Sequence, residues 1–565
     1  MYKKIVLILI LSFLSSFVFS QQPKDDIGAR SGIFEKELER KKKELETTPF
    51  IPQIEIQKEK KEALPSSQIK FLLKDIKIVG STIFSQQDFY PIYKDYLNKE
   101  INFSDLEELI NKINLKYHNA GYLTTEAYIP QQEFKDGVLE IKIEEGKINQ
   151  IKIEGNKYLS TDFIKNHIHL KKNEVFNINK LKKDLIKLNR IPNVNVKVYL
   201  SAAELPSYSD ITLKIFEDFP WKIGLEVDNR GSRLTGKVRT NYLIKSTSYS
   251  KKADLLLLTT QKTSRSFAQS LIYQLPLKTY DTKFGLTFSY LTMELGKEYK
   301  HLKIIGQSYL FKPYITKEVF LSEISSIDLE GGLKIKSTDK EISGDTIANE
   351  ELRIPYFSLM FFRIDNFGYT YFYPTFNFGT EDFLGASKRG HPSSSRDNTG
   401  GFFFKYEHNL QRIQKTPFNS FLTFTSNFQY STHTLPSSEQ FQLGGASSVR
   451  GYPEGDYLAD IGGSVSLEWT FFPYFIPKNW KLKNHNTSLR EEIQPLFFID
   501  FGAGKIINTE SNERRTKSLL GIGGGLRLRI IKNSYMRLDW AKSLLDEPTS
   551  GAGPSNFYFS FQWEL

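Results

Sequence analysis

From residue 219 to its end the chain alternates apolar and polar residues with a period of two, again and again. At the last strand-like stretch Phe557, Phe559, Phe561, Trp563 and Leu565 share one face, and Tyr558, Ser560, Gln562 and Glu564 share the other. Val465, Leu467, Trp469 and Phe471 alternate with Ser464, Ser466, Glu468 and Thr470. Phe284, Leu286, Phe288 and Tyr290 do the same around Gly285, Thr287 and Ser289, and Leu422, Phe424, Phe428 and Tyr430 keep the spacing. Leu526, Leu528 and Ile530 are backed by Arg527 and Arg529. This period belongs to strands with two unlike faces and excludes helices over the region. Aromatic residues gather in the same half: 55 of 78 follow residue 218. A soluble sandwich would also alternate. Aromatic enrichment, and arginines behind an apolar face, favour a transmembrane antiparallel β-barrel instead, over residues 219–565. At about 20 residues per strand this length allows about 16 strands. Polar stretches such as Lys388–Thr399 and Asn479–Glu492 read as loops outside the bilayer. An alternating final strand suits a barrel that must pair its last strand with its first.

The first twenty residues supply a third argument. Lys3 and Lys4 precede an apolar run from Ile5 to Leu14, and small residues lead to Ser20. That order is a secretory signal peptide, residues 1–20, with cleavage expected after Ser20. Beyond it no run of about 18 apolar residues occurs and mean hydropathy is −0.38, so no spanning helix is expected. The absence of cysteine excludes disulfides, a thiolate zinc site, a cysteine nucleophile and a lipidated N-terminus. A net charge of +11 is small for 565 residues, and no nucleic-acid partner is expected.

Residues 21–48 contain FEKELERKKKELE from Phe34 to Glu46, a run of helix formers. Glu37–Lys41, Glu39–Lys43, Arg40–Glu44 and Lys42–Glu46 stand at i,i+4 spacing, while Phe34, Leu38 and Leu45 make a thin apolar face. Such a helix belongs in water or in a wet channel. A disordered arm is the plainer reading of the composition. Residues 49–70 carry Pro49, Pro52 and Pro65 and read as an extended linker.

A tandem repeat follows. IKIVGSTIFS begins at Ile76 and IKIEGNKYLS at Ile151, 75 positions later. Each copy opens with an alternating strand closed by a glycine, Gly80 or Gly155. Leu106, Leu109, Ile110, Ile113 and Tyr117 then keep helical spacing behind a Ser104–Glu107 capping box, and Leu181, Leu185 and Leu188 repeat that face. Two strands end each copy. The boundaries are 71–146 and 147–218, each a β-α-α-β-β unit. Its sheet edge could accept an extended peptide by main-chain hydrogen bonds, although a mere spacer fits the residues too.

No catalytic constellation emerges. GIGGG at Gly521–Gly525 sits in an alternating strand and not at a strand–helix turn, so the dinucleotide fingerprint fails. Glycines in a barrel wall more often make room for a neighbour inside. His167 and His169 find no third ligand, and surface positions are expected for them. No GxSxG elbow occurs, and no metal or cofactor site is expected. Two segments stand out. Phe441–Asp456, FQLGGASSVRGYPEGD, is a glycine-rich loop holding one arginine, Arg450. Phe497–Gly504 alternates so that Phe498 and Asp500 point into the lumen. An interior carboxylate needs a cation or several donors, and Arg450 is a candidate if its loop folds inward.

Together these residues resemble the outer-membrane transporters of two-partner (type Vb) secretion, the haemolysin secretion/activation (ShlB/FhaC/HecB-like) family. Ala120–Ile148, AGYLTTEAYIPQQEFKDGVLEIKIEEGKI, is similar to that family's first POTRA domain. QLGGASSVRGY matches its loop signature at Val449, Arg450, Gly451 and Tyr452. The Asp500 strand resembles its inner-wall motif, and VDNRGSRLTG resembles its barrel opening at Asp228, Asn229, Gly231, Thr235 and Gly236. The resemblance implies two periplasmic POTRA domains, a 16-stranded outer-membrane barrel, and an N-terminal helix that plugs the pore. It also implies that Arg450 pairs with Asp500 inside the barrel. The implied partners are a large secreted exoprotein (adhesin or cytolysin), outer-membrane lipid, and the barrel-assembly machinery during biogenesis. An assembly factor of the same superfamily is the alternative, expected to carry more POTRA units and no plug. A passive porin would not need tandem periplasmic domains.

Overall fold

Asp26 starts helix α1 (Ile27–Glu46): one of its carboxylate oxygens accepts the Gly28 amide at 3.1 Å, and its carbonyl accepts Arg30 N–H. The helix thus begins seven residues before Phe34, where the charge pattern starts. Gly28 and Gly32 hide that first stretch from a propensity argument, because glycine disfavours helix. The computed structural model describes residues 26–46, 53–56, 70–134, 136–482, 487–509, 513–529, 531–548 and 553–565. The expected signal peptide and most of the linker lie outside them. The chain divides into two units, one of residues 50–218 with 278–280 and one of the remainder.

In the first unit, strand β1 (Gln53–Ile56) comes from the linker. The first repeat holds β2 (Phe71–Leu73), β3 (Asp75–Val79), α2 (Gln86–Tyr93), β4 (Lys99–Ile101), α3 (Phe103–Asn119), β5 (Glu126–Tyr128) and β6 (Val138–Glu144). The second holds β7 (Lys147–Glu154), α4 (Thr161–Lys165), α5 (Ile178–Asn189), β8 (Val194–Ala202) and β9 (Tyr208–Glu217). Their sheets match: β3 runs parallel to β6 as β7 does to β9, and β5 and β8 complete them antiparallel. On β8 a fourth strand is already in place, since β1 pairs parallel to it from Gln53↔Lys197 to Ile56↔Leu200. Leu106, Leu109, Ile113 and Tyr117 bury the face expected of α3 against Ile76, Ile141 and Ile143. Its cap lies two residues earlier than the Ser104–Glu107 box: Asn102 accepts Asp105 N–H at 3.0 Å and Asp105 accepts Asn102 N–H at 2.8 Å. Two boxes overlap in the sequence, and the one that keeps Phe103 inside the helix wins.

The repeat extends to a device that the sequence comparison misses. Gly80 (φ +89°) and Gly155 (φ +85°) press against the carbonyls of Ile143 and Ile215, where an added Cβ would lie 2.4 and 2.5 Å from oxygen. The turn after each glycine is held by a carboxylate at the end of the last strand. Glu145 accepts the amides of Thr82 and Ile83 at 2.8 and 2.9 Å, and Glu217 accepts those of Lys157, Tyr158 and Leu159 at 2.6, 2.6 and 2.9 Å. Tyr117 also donates to Glu145 at 3.1 Å, and burial holds its phenol well above the ordinary range. Hydrogen bonds to a charged group contribute about 1.5–3 kcal/mol, so Glu217→Ala should release this turn. The Lys157–Leu159 amides of the intact protein should then exchange with solvent at least ~10-fold faster.

His167 corrects the expectation of a surface histidine. It is fully buried, its Nδ1 lies 2.8 Å from the Phe163 carbonyl one turn earlier, and its ring stands edge-on to Phe163. His169 is exposed as expected, bonded to Asp184 at 2.6 Å.

In the second unit sixteen strands form a closed antiparallel barrel among the described residues. They begin with β10 (Trp221–Asp228), β11 (Arg239–Ser246), β12 (Leu255–Lys262), β13 (Ser266–Pro276), β14 (Thr282–Glu294) and β15 (Ile304–Leu321). Next come β16 (Ser325–Ile342), β17 (Asp345–Asp365), β18 (Gly368–Gly379), β19 (Phe403–Thr416) and β20 (Ser420–Ser431). An inner loop, residues 432–460, carries the short hairpin of β21 (Phe441–Leu443) and β22 (Tyr457–Ala459). The wall resumes with β23 (Ile461–Phe471), passes α6 (Leu489–Glu492), and ends with β24 (Ile493–Lys505), β25 (Thr516–Leu528), β26 (Ser534–Ser543) and β27 (Ser555–Glu564). Sequence-consecutive wall strands pair throughout, and β27 returns to β10 from Gly224↔Glu564 to Asp228↔Ser560. The alternating aromatics face outward: Phe497, Ile499 and Phe501 on β24, Trp540 on β26 and Phe557 on β27 are all exposed. No described helix is long and apolar enough to cross a membrane; crossing falls to the strands.

Candidate functional site

Inside the barrel lie two inserts, α1 and the inner loop, and both are held by charge. The inner loop returns Arg450 to the wall. Its Nε and one terminal nitrogen grip Asp500 at 2.7 and 2.8 Å, a bidentate pair, and its backbone amide donates to the same carboxylate at 3.1 Å. The other terminal nitrogen reaches Glu468 at 2.9 Å and Asp539 at 3.4 Å, and Ser466 takes the last proton at 3.2 Å. All five guanidinium donors are therefore engaged. The Phe498 ring lies under the guanidinium, 3.3 Å from its central carbon. Arg527 closes the network by donating to both Glu468 and Asp539, and Arg537 donates to Asp539 at 2.7 Å. Three arginines meet three carboxylates, so the cluster carries no net charge; Arg450, Asp500, Arg527 and Asp539 are buried, and Glu468 and Arg537 lie at its partly exposed edge.

The rest of the loop signature holds the backbone around this arginine. Val449 and Tyr452 are fully buried with Phe441, Leu443 and Leu519. Tyr452 donates to the Leu545 carbonyl at 2.8 Å. Gly451 adopts φ +99°, donates to the Tyr558 hydroxyl at 3.1 Å and accepts from Asn556 at 2.7 Å. The glycine run of β25 is the seat beneath them. A Cβ on Gly521 would stand 1.8 Å from the Arg450 carbonyl oxygen, and one on Gly525 would meet the Asp539 carboxylate at 2.1 Å. At the base of the loop, fully buried Asp460 gathers Arg396 at 2.9 Å and the amides of Leu435 and Ile507.

The barrel-opening residues lie elsewhere, at the seam between first and last strands. Asp228 accepts Arg239 through Nε at 2.9 Å and a terminal nitrogen at 3.1 Å. Asn229 bridges the seam with both ends of its amide, donating to Phe557 and accepting from Phe559, each at 2.8 Å. Gly231 donates to Lys237 across a turn where a Cβ would lie 2.0 Å from the Gly236 carbonyl; Gly236 itself has φ +119°. The buried Thr235 carbonyl accepts Thr263 and Arg265 from the neighbouring hairpin.

Helix α1 runs within the barrel, and its charges reach the wall; of the i,i+4 pairs expected along it, those with Lys43, Glu44 and Glu46 involve side chains outside the described ones. Glu37 meets Arg239 at 2.9 Å, Glu39 meets Lys312 at 2.8 Å, Lys42 meets Glu330 at 2.8 Å and Lys41 meets Glu226 at 3.5 Å. Glu35 is shared by Lys334 and Lys336 at 2.9 and 2.7 Å. The thin apolar face also finds a partner: Ile27, Phe34 and Leu38 pack on Leu257, Ile272 and Leu291, which face inward from the wall. The lumen is therefore not simply a wet interior. Gly28 and Gly32 press against Ser437 and Ser438 of the inner loop, the Ser437 hydroxyl bonds Asp26, and Gln442 donates to the Ala29 carbonyl. So the two inserts touch.

Arg450 and Asp500 meet, while Asp228 and its companions form a separate clamp. Glu468, Ser466 and Asp539 were missed in the sequence as parts of the arginine site. Their inward register on β23 and β26 was the available signal, since Ser466 and Glu468 fall on the polar face of an alternating strand. No described cluster of three or more His, Asp or Glu side chains has metal-binding geometry.

The haemolysin secretion/activation protein family ShlB/FhaC/HecB matches residues 207–528, the ShlB-type POTRA domain matches 71–146, and a second POTRA family, described as a surface antigen variable number repeat, matches 147–217. The heme/hemopexin transporter protein HuxB of Haemophilus influenzae strain 86-028NP is 26% identical over 525 residues, 87% of each chain. The outer membrane transporter CdiB of Dickeya dadantii is 24% identical over 401 residues, covering 68% of this chain and 69% of that one. Among solved structures, CdiB from Escherichia coli superposes with a TM-score of 0.70 at 18% identity, covering 96% of this chain and 99% of its own.

Proposed function

From the premise that this chain belongs to the haemolysin secretion/activation family ShlB/FhaC/HecB, we propose how its lumen serves the transport that defines its relatives. The protein is an outer-membrane transporter of two-partner secretion: an exoprotein partner crosses the barrel, and the POTRA domains lie in the periplasm. The exoprotein arrives unfolded and adds a strand to a POTRA sheet edge. On the second sheet it displaces β1 from β8; on the first it meets β5, whose outer edge carries no strand among the described residues. It then threads a lumen that α1 has left, and folds outside. Folding on the far side supplies the drive, and no covalent catalysis is involved. Arg450, through Asp500, holds the inner loop against the wall while the chain passes, and the Asp228–Gly236 segment keeps the barrel seam shut. The cargo is a large exoprotein of the adhesin or cytolysin kind. HuxB is named for heme and hemopexin, so a haem-protein-binding exoprotein is the first to look for. Outer-membrane lipid and the barrel-assembly machinery are partners of the barrel itself.

The observation that carries this is α1, a helix whose Glu35, Glu37, Glu39, Lys41 and Lys42 each meet an oppositely charged residue of the surrounding wall. An assembly factor that inserts other barrels has no use for a stopper in its own lumen. Deleting the protein should remove one large polypeptide from the culture supernatant and leave other outer-membrane proteins at their usual amounts. A general fall in outer-membrane proteins would instead identify an assembly factor.

A further inference from the structure

Strand β16 presents an uneven row of charges to the lumen. From the end at which β10 starts, its inward positions run Asp328 and Glu330, then Lys334, Lys336 and Lys340. Lys312 joins from β15, 3.5 Å from Glu330. Lys312, Lys334 and Lys336 are almost wholly buried, between α1, the wall ring of Tyr356 and, at Lys336, Glu439 of the inner loop. Glu35 lies between Lys334 and Lys336, Glu39 on Lys312, and Asp26 is 3.7 Å from Lys340. The fit is close: a void between helix and wall, lined by Glu35, Leu38, Glu39, Lys42 and Lys312, is about 30 Å³. Withdrawal of α1 takes from Lys334 the carboxylate it pairs with, and from Lys336 and Lys312 one of two, the others being Glu439 and Glu330; Glu330 loses Lys42 and turns to Lys312 alone, so the excess of cations is left at Lys334 and Lys336. A lysine row so stripped attracts any carboxylate that enters.

We propose that Lys312, Lys334 and Lys336 form a carboxylate-binding site of the pore wall, occupied at rest by Glu35 and Glu39 and taken over in transport by acidic side chains of the passing polypeptide. The helix is then a resident copy of the cargo's charge pattern. The acidic residues Asp328 and Glu330 on the β10-entry side of the row make the site directional: a segment rich in carboxylates is repelled before the row and held at it, and a basic segment meets the opposite order. The occupant is an acidic stretch of extended polypeptide. This rests on the transport reading, but it is a statement about the wall and can be tested without any exoprotein.

The test uses full-length protein in planar lipid bilayers. Glu35→Lys with Glu39→Lys puts cations against the row and should open the pore; Glu35→Gln with Glu39→Gln serves if the reversed chain does not assemble. The open form should prefer anions over cations. Oligoglutamate should block its current at concentrations at least ~10-fold lower than oligolysine or oligoserine of equal length, a difference equivalent to ~1.4 kcal/mol. Adding Lys312→Gln, Lys334→Gln and Lys336→Gln should abolish the difference. Reversing the wall with Lys312→Glu and Lys334→Glu should reseat the Glu35→Lys, Glu39→Lys helix and close the pore again. The proposal is overturned if neither plug variant opens the pore, if oligolysine blocks as well as oligoglutamate, or if block survives the triple wall variant. None of those results would touch secretion, which the deletion strain reports separately.

Discussion

Arg450→Ala should yield a barrel that reaches the outer membrane in normal amount and secretes almost nothing. The substitution leaves Asp500 with the Ser466 hydroxyl at 2.6 Å but no cation of its own, and takes one arginine from Glu468 and Asp539. Removing one partner of a buried pair costs about 3–5 kcal/mol. A loop seated by that margin becomes unseated, because every ~1.4 kcal/mol is a tenfold change in population. The wall strands keep their ladders, so heat-modifiable electrophoretic mobility should be unchanged while exoprotein in the supernatant falls at least ~10-fold. Arg450→Lys should fare little better, since one ammonium cannot reproduce five donors in a plane over Phe498. Normal secretion by the alanine variant would show that the pair has no part in transport.

Gly521→Ala should reproduce that loss with a single carbon. Its Cβ would fall 1.8 Å from the Arg450 carbonyl, a backbone atom that no rotamer can move aside. The inner loop must lift, and the guanidinium geometry to Asp500 goes with it. Overpacking ordinarily costs about 1–3 kcal/mol, and here the whole of it acts on one contact. Gly524→Ala, three positions along the same strand, is the control. Its Cβ would lie 3.3 Å from the Leu496 carbonyl oxygen and 3.4 Å from the Phe497 ring, tight but no clash, and secretion should stay within about twofold of the unaltered protein. Equal behaviour of the two variants would separate the glycine run from the loop it faces.

Barrel and repeat were legible because both are written in local periods. Alternation at two residues marks each wall strand by itself, and the 75-residue spacing needs no knowledge of the fold. Arg450 and Asp500 could be named as partners because each is anomalous in its own segment, a lone arginine in a glycine-rich loop and a lone carboxylate on an inward register. Glu468 and Asp539 are not anomalous: polar residues on the polar face of an alternating strand are what a barrel contains. Their meeting depends on which positions of β23, β24, β25 and β26 come level in the wall and on where the inner loop returns Arg450, and no local period encodes that. The start of α1 escaped for a related reason. Gly28 and Gly32 weaken the helix alone and fit it to Ser437 and Ser438, which lie more than four hundred residues away in sequence. Its charges likewise reach wall residues far away in sequence, as Glu37 reaches Arg239 and Glu39 reaches Lys312, and no spacing along the helix foretells those partners. His167 is buried between the Phe163 carbonyl at its Nδ1 and the Tyr280 amide, which donates to its Nε2 from 113 residues away, a partner no local pattern marks.

The seam between β10 and β27 orders events in time. Every other wall pairing joins strands consecutive along the barrel, whereas Asn229 and Phe559 lie 330 residues apart. Bringing such distant ends together costs about 5 kcal/mol of chain entropy from length alone. It is met once, at the end of a search, and before that moment the growing sheet is a ribbon with no interior. Helix α1 cannot find Arg239 and Lys334 around it, nor Arg450 its ring of β23, β24 and β26, until the ribbon is curled. Containment and sealing therefore arrive together, and leakage during biogenesis lasts no longer than one ring closure.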